Sequence, residues 1–561
     1  MTRRTILLLA LVPLTGAIAM SLFGRLFGKR NATEGANTHE SLPWQHHPSI
    51  YEHVKAHIRR GQNHLADGGD ALPDEDRLAA RVEIRWVPGG MDGVFGLHVG
   101  SGDAGQQASE AASFIAAYCK APSIENKLRL YKWLVERSVI DFVDPLLKSL
   151  RGQSGLDIKR LHDLALSLAT ESVDREPVKA GIAILGMFSG QSDKEVFQTL
   201  GRHEEFTLYC AVALANTSER PEEDLWELAK GVNGWGRIHV VERLAETGNP
   251  GVKEWLIREG YSNSIMNEYL AYTCAKAGDL RAALDADHID DGLLLAAGEI
   301  IDALLAGGPA EDMDDYEDGA AVVGAYLKHL APRASRTPEL LTVINVRSWL
   351  SDEDSDWTAR EAKGWTPENR ADFIRTCEEI ANRPVWRQIV LKELQSDDEK
   401  TFYNAARAAD LLVIDTWDVH WQRLQDAPLT FGRWYAVMQK CNEHRISDVV
   451  ALAEKALPLE QIASGPGNEM GLGREYEANR CLDFILQDLG RFPKQGVPLV
   501  KAGLHSPVIS NRNMALRALS GWGKSRWQQG IEQMLREALA REPEAQVRDW
   551  MQKVLDGKEL N

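Results

Sequence analysis

From about residue 108 to the C-terminus, apolar residues return every three or four positions almost without a break. That period selects helices over strands. Phe206, Tyr209, Cys210, Ala213 and Leu214 form one stripe, and Met266, Tyr269, Leu270, Cys274 and Ala277 form another. Trp527, Ile531, Met534, Leu535, Ala538 and Leu539 make a third, and Val547, Trp550, Met551 and Val554 a last one. The segments are short, and Gly, Pro, Asn or Asp punctuate them. Part of the pattern is repetition. LANTSE (214–219), LAETGN (244–249), CAKAGD (274–279) and LLAGGP (304–309) end successive helices, with Gly248, Gly278 and Gly308 thirty residues apart. A helix–turn–helix unit of this length cannot bury its own apolar face, so neighbours must stack into a continuous core, as in an α-solenoid.

The segment from His203 to Gly260, beginning HEEFTLYCAVALANT, resembles HEAT-type repeats. So does SPVISNRNMALRALSGWG (506–523), where Asn511 and Arg512 enter a helix whose Met514, Ala515, Ala518 and Leu519 face inward. The resemblance covers residues 150–310 and 475–561. It implies a curved right-handed superhelix used for protein–protein contact. Residues Gly473 to Trp522 are also similar to bacterial proteins labelled limonene hydroxylase, although the chain shows no haem, flavin or non-haem iron motif.

The N-terminal part reads differently. Arg3 and Arg4 precede an apolar run, residues 5–24, long enough to span a membrane. It also reads as a signal peptide ending at Ala17-Ile18-Ala19, or as a mis-assigned start with Met20 the first residue. Arg25, Lys29 and Arg30 oppose export, which favours a cytoplasmic body, free or anchored to the inner membrane through residues 5–24. Residues 31–80 are polar, with a helix expected around 49–65. Val82, Ile84 and Trp86, then the turn PGGMDG, then Phe95, Leu97 and Val99 predict a β-hairpin over 80–99. The expected organisation is 1–30, an apolar and basic segment; 31–107, a His-rich helix and the hairpin; 108–309, a first helical array; 310–357, acidic loops with connecting helices; and 358–561, a second array. AEDMDDYEDG (310–319) and SDEDSDW (351–357) read as solvated loops.

The chain of 561 residues is 44 % hydrophobic and 26 % charged, the balance of a folded chain, with a net charge of −18. So acidic a body repels phosphate backbones and argues against nucleic-acid binding. It favours a protein partner with a basic surface. Cys119, Cys210, Cys274, Cys377, Cys441 and Cys481 stand far apart on apolar stripes and read as core thiols of a reducing compartment.

Several motifs invite chemistry. ALSGWGKS (518–525) loosely fits a phosphate loop, but a helix precedes it where a strand is required. His203-Glu204-x-x-Thr207 begins like a zincin helix and lacks the second histidine. Asp314 to Gly319 lacks the oxygen ligands of a calcium loop. His53, His57 and His64 fall in a narrow arc of one helix and are candidate metal ligands. Trp417, His420, Trp421, Trp434 and Tyr435, with Phe431, are candidates to line a pocket for an apolar ligand; the other reading of Trp417 and Trp421 is an interhelix seam. The loop 464–473, SGPGNEMGLG with Arg474 after it, is a candidate anion nest or a mobile glycine loop. The sequence thus predicts an all-α, HEAT-like α-solenoid with one N-terminal β-hairpin, acting as a protein-binding scaffold without cofactor. The alternative is a helical-repeat enzyme or small-molecule binder with its site near 417–435.

Overall fold

The computed structural model describes residues 42–45, 48–79, 87–93, 104–189, 192–333, 335–558 and 560. These residues are all-helical: among them there is no strand, and one isolated parallel bridge joins Glu469 to Val508. The chain divides into two compact units, one ending at His239 and the other beginning at Val240.

The first unit contains α1 (Ile50–His57), α2 (Ala104–Lys120), α3 (Ile124–Val135), α4 (Val143–Gly152), α5 (Ile158–Glu171), α6 (Arg175–Leu185), α7 (Lys194–Leu200), α8 (Glu204–Thr217) and α9 (Pro221–Ala229). Their starts follow from sequence. The Ser49 hydroxyl and Glu52 carboxylate close a capping box on α1, Ser123 and Asp157 cap α3 and α5, and Pro221 opens α9 where no N–H is needed. Helices pack on the next and the next but one: α2 on α3 and α4, α5 on α6, α6 on α8, α8 on α9. A close approach is made at Gly181 of α6. A Cβ there would lie 2.6 Å from the Ala169 backbone nitrogen of α5, so any side chain would push the two helices apart.

The second unit contains α10 (Ala271–Ala277), α11 (Leu280–Leu284), α12 (Asp291–Ala306), α13 (Gly319–Leu330), α14 (Thr337–Leu350), α15 (Pro367–Ala381), α16 (Val385–Glu393), α17 (Glu399–Leu411), α18 (Trp417–Asp426), α19 (Phe431–Lys440), α20 (Ile446–Ala456), α21 (Glu477–Leu489), α22 (Val497–Leu504), α23 (Ile509–Trp522), α24 (Ile531–Leu539) and α25 (Ala545–Leu555). The same order of packing recurs: α12 on α14, α14 on α15 and α17, α19 on α21, α21 on α23, α23 on α25. One apolar core runs from Trp417 to Leu555. Of the three glycines spaced thirty residues apart, Gly278 directly follows α10, while α12 ends on Gly307, one residue before Gly308.

Several polar groups inside this core are paired, as burial favours. Arg512 and Glu542 are wholly enclosed and meet through two bonds, Nε–Oε2 at 2.7 Å and Nη2–Oε1 at 2.9 Å. Arg512 Nη1 donates to the Ser506 and Pro507 carbonyls. Asn511 donates to Asp483 and to the Asn479 carbonyl, and Ser510 donates to Asp483.

Several expectations need correction. The helix expected over 49–65 stops at His57, where Ile58 turns extended at ψ 131°. The acidic stretch 310–319 exposes its carboxylates, but Met313 and Tyr316 are buried and anchor it. Arg360 holds Asp314 through two bonds of 2.5 and 2.7 Å. Both expected hairpin strands lie outside the described residues; of the expected turn between them, Gly90–Gly93 form a helical turn. Residues 1–41, including the apolar run 5–24, also lie outside them. Among the described residues, no helix is long and apolar enough to cross a membrane.

Candidate functional site

The histidine cluster separates once the helix ends. His53 and His57 remain one turn apart on α1, with ring centroids 4.4 Å apart. One nitrogen of each is engaged: His53 Nε2 meets the Gly69 carbonyl at 3.1 Å, and His57 Nδ1 meets the His53 carbonyl at 2.8 Å. His64 lies beyond Gly61, which turns the chain at φ +74°, and its Nδ1 meets the Leu65 carbonyl. His39, His46 and His47 lie outside the described residues. Among the described residues, no group of three or more His, Cys, Asp or Glu is placed to hold a metal ion.

The aromatic residues of 417–435 face different neighbourhoods. Trp417 and Trp421 stack at 5.5 Å with an interplanar angle of 10°, and Arg445 covers Trp417 at 4.4 Å. His420 is buried edge-on to Phe402, and burial lowers its pKa to about 4. Trp434 is wholly enclosed, its indole N–H donating to the Pro428 carbonyl at 2.6 Å. Tyr435 points the other way and stays 38 % exposed. The spacing therefore gathers core residues and two surface residues, Phe431 and Tyr435, rather than the walls of one pocket.

Tyr435 belongs to a surface that the sequence did not single out. Phe431 of α19 and Phe484 of α21 stack at 5.8 Å and 11°, and Tyr435 meets Phe484 edge-on at 5.5 Å. Arg480 lies over Phe431 at 4.7 Å and donates to the Gly473 carbonyl. This aromatic and cationic platform adjoins the loop 464–473. The loop is no free glycine tether: the Gly465 N–H donates to the His505 carbonyl, Glu469 N–H to Pro507, and Ile509 N–H to Glu469. Pinned in this way, it presents Met470 and Leu472 to solvent, both more than half exposed. Glu469, Glu475 and Glu477 are exposed beside it. Phe431 and Phe484 carry helical spacing that reads as core; only the packing of α19 on α21 shows that their stripe opens outward.

The first unit holds a second concentration of chemistry, also unforeseen. Lys179 of α6 is almost fully enclosed, with Nζ 2.8 Å from Asp92, 3.1 Å from Glu176 and 2.6 Å from Glu205. Arg175 forks onto Asp74, and the Gly89 N–H donates to Glu205. Burial pushes Glu176 up to about 7 and raises Asp92. Burial also pushes Glu205 up, but Lys179 and Arg175 outweigh it and hold that carboxyl low. Perturbed groups of this kind mark either active sites or structural ion networks. Here Asp74, Gly89 and Asp92 reach groups on α6 and α8, so the cluster fastens the backbone around those residues onto the two helices. The signal that points to it in sequence is Lys179 itself, a lone charge within the apolar run VKAGIAIL.

The remaining motifs resolve as structure. Trp522 is enclosed and donates to the Leu489 carbonyl, and Lys524 donates to Leu555, so ALSGWGKS is a helix end. His203 caps α8. Glu204 does more than open that helix: its carboxylate accepts from the N–H groups of Asn233, Gly234 and Gly236. No protein-family model matches the chain, and no curated protein matches it in sequence.

Proposed function

We propose that the chain is a non-enzymatic, HEAT-like α-solenoid scaffold that holds a second polypeptide of basic surface. The observation that carries this reading is the platform of Phe431, Tyr435, Phe484 and Arg480 beside the pinned loop with Met470 and Leu472. Phe431 and Tyr435 are exposed and Phe484 and Arg480 half-buried beside them, and aromatic and arginine side chains in one patch are those that anchor protein interfaces. The carboxylates of Glu469, Glu475 and Glu477 at its rim, on a chain of charge −18, supply the complement to a basic partner. The repeated packing of each helix on its neighbours supports the solenoid, because such arrays place one extended surface along successive helices. Six buried, unpaired thiols suit a cytoplasmic setting.

The test is capture from the cells of origin by the tagged full-length chain. A partner should be retained at low salt, released as ionic strength rises past the point where the Debye length falls to about 3 Å, and lost with Phe431→Ala plus Tyr435→Ala. Retention that survives both salt and the double substitution would overturn the platform as the docking site.

A further inference from the structure

A cleft of about 470 Å³ opens in the second unit between α11, α13 and α15. Its floor is made of small residues on one face of α13: Ala320, Ala321, Gly324 and Ala325. Leu284 and Phe373 form apolar walls. The wall depends on a glycine: a Cβ at Gly324 would meet the Phe373 ring at 3.0 Å, so only a bare backbone lets the ring lie so near. A flat apolar body fits between such surfaces.

The rim inverts the charge of the molecule. Arg281 is matched by Asp285 at 3.5 Å and Asp318 at 3.3 Å. Lys328 and Lys363 are not matched in this way. Lys363 Nζ donates to the Asp314 carbonyl, a neutral acceptor, while the Asp314 carboxylate is taken by Arg360. Lys328 is exposed at the cleft, and no carboxylate among the described residues pairs with it. Glu317 is the one further acid on the lining. On a chain of net charge −18, the lining of this slot carries three cations, Arg281, Lys328 and Lys363, against two carboxylates, Asp285 and Glu317.

We propose that this cleft binds a small organic anion of the aromatic carboxylate class, its ring on the α13 floor against Phe373 and its carboxylate at Lys328 and Lys363. Ammonium–carboxylate contacts orient the ligand, and the small-residue floor selects a planar body. This site is independent of the docking platform and stands or falls without it.

The experiment is calorimetric titration of the full-length chain with 2-naphthoate, and with neutral 2-naphthamide as the matched control. One saturable site for naphthoate in the submillimolar range is expected, with naphthamide at least tenfold weaker. Lys328→Ala should weaken naphthoate about tenfold, the size of one charge-assisted contact. Ala321→Phe should fill the slot and abolish binding while the helical circular dichroism stays unchanged; Ala325→Leu serves the same end should the first variant misfold. Absence of saturable naphthoate binding, equal binding of naphthamide, or full binding by the filled variants would each overturn the proposal.

Discussion

Burial of a titratable side chain ties protonation to folding, and His420 shows the consequence most simply. Burial holds its folded pKa at about 4, below the ordinary 6.5, so the unfolded chain takes up the proton first. Stability is therefore lost as pH falls from 6.5 toward 4, by up to about 3 kcal/mol for a shift of this size. His420→Gln removes the titration, so its melting temperature should fall less between pH 7 and pH 4.5 than that of the parent chain. Equal falls in thermal melts of the two proteins would show that His420 is not buried as the neutral ring. At this scale sequence is a partial guide. Helical spacing correctly places His420, Trp417 and Trp434 on α18 and α19, but spacing fixes a direction around one helix and not the neighbour that lies there. Lys179 illustrates the converse: its three carboxylate partners come from residues 92, 176 and 205, two of them distant in sequence.

Single elements were legible where their signals are local. Capping residues, helix-ending glycines and the apolar stripes all lie within a few positions of what they determine. The acidic stretch 310–319 is the irregular, largely exposed stretch its sequence suggests, but its tie to Arg360, 46 residues away, is not a local signal. The histidine arc failed for a local reason, since α1 ends at His57 and Gly61 reverses the chain before His64. The buried pair Arg512–Glu542 joins α23 to the turn before α25, and it makes an element-scale prediction. Glu542→Gln or Arg512→Met alone leaves one enclosed group without its counter-charge and should cost about 3–5 kcal/mol. The double variant Arg512→Met with Glu542→Leu should recover most of that loss, because an apolar pair of similar volume needs no compensation. Thermal or urea unfolding decides it: a double variant no more stable than the worse single one would mean that the Arg512 bonds to the Ser506 and Pro507 carbonyls, rather than the ion pair, hold the turn.

At the largest scale, helices pack mainly on near neighbours in sequence, and one core runs from Trp417 to Leu555. The all-helical class was therefore readable from periodicity alone. The surface was not, because Phe431 and Phe484 obey the same spacing as core residues and differ only in what packs over them. The central claim, that this exposed platform docks another polypeptide, is tested most directly by replacing Tyr435 with a photo-reactive amino acid in the living host. A matched substitution at Gln552, an exposed position on α25, gives the background. The account predicts one discrete cross-linked polypeptide from position 435, absent from position 552 and diminished by Phe484→Ala. Cross-links at 435 that equal those at 552 in number and yield would contradict it.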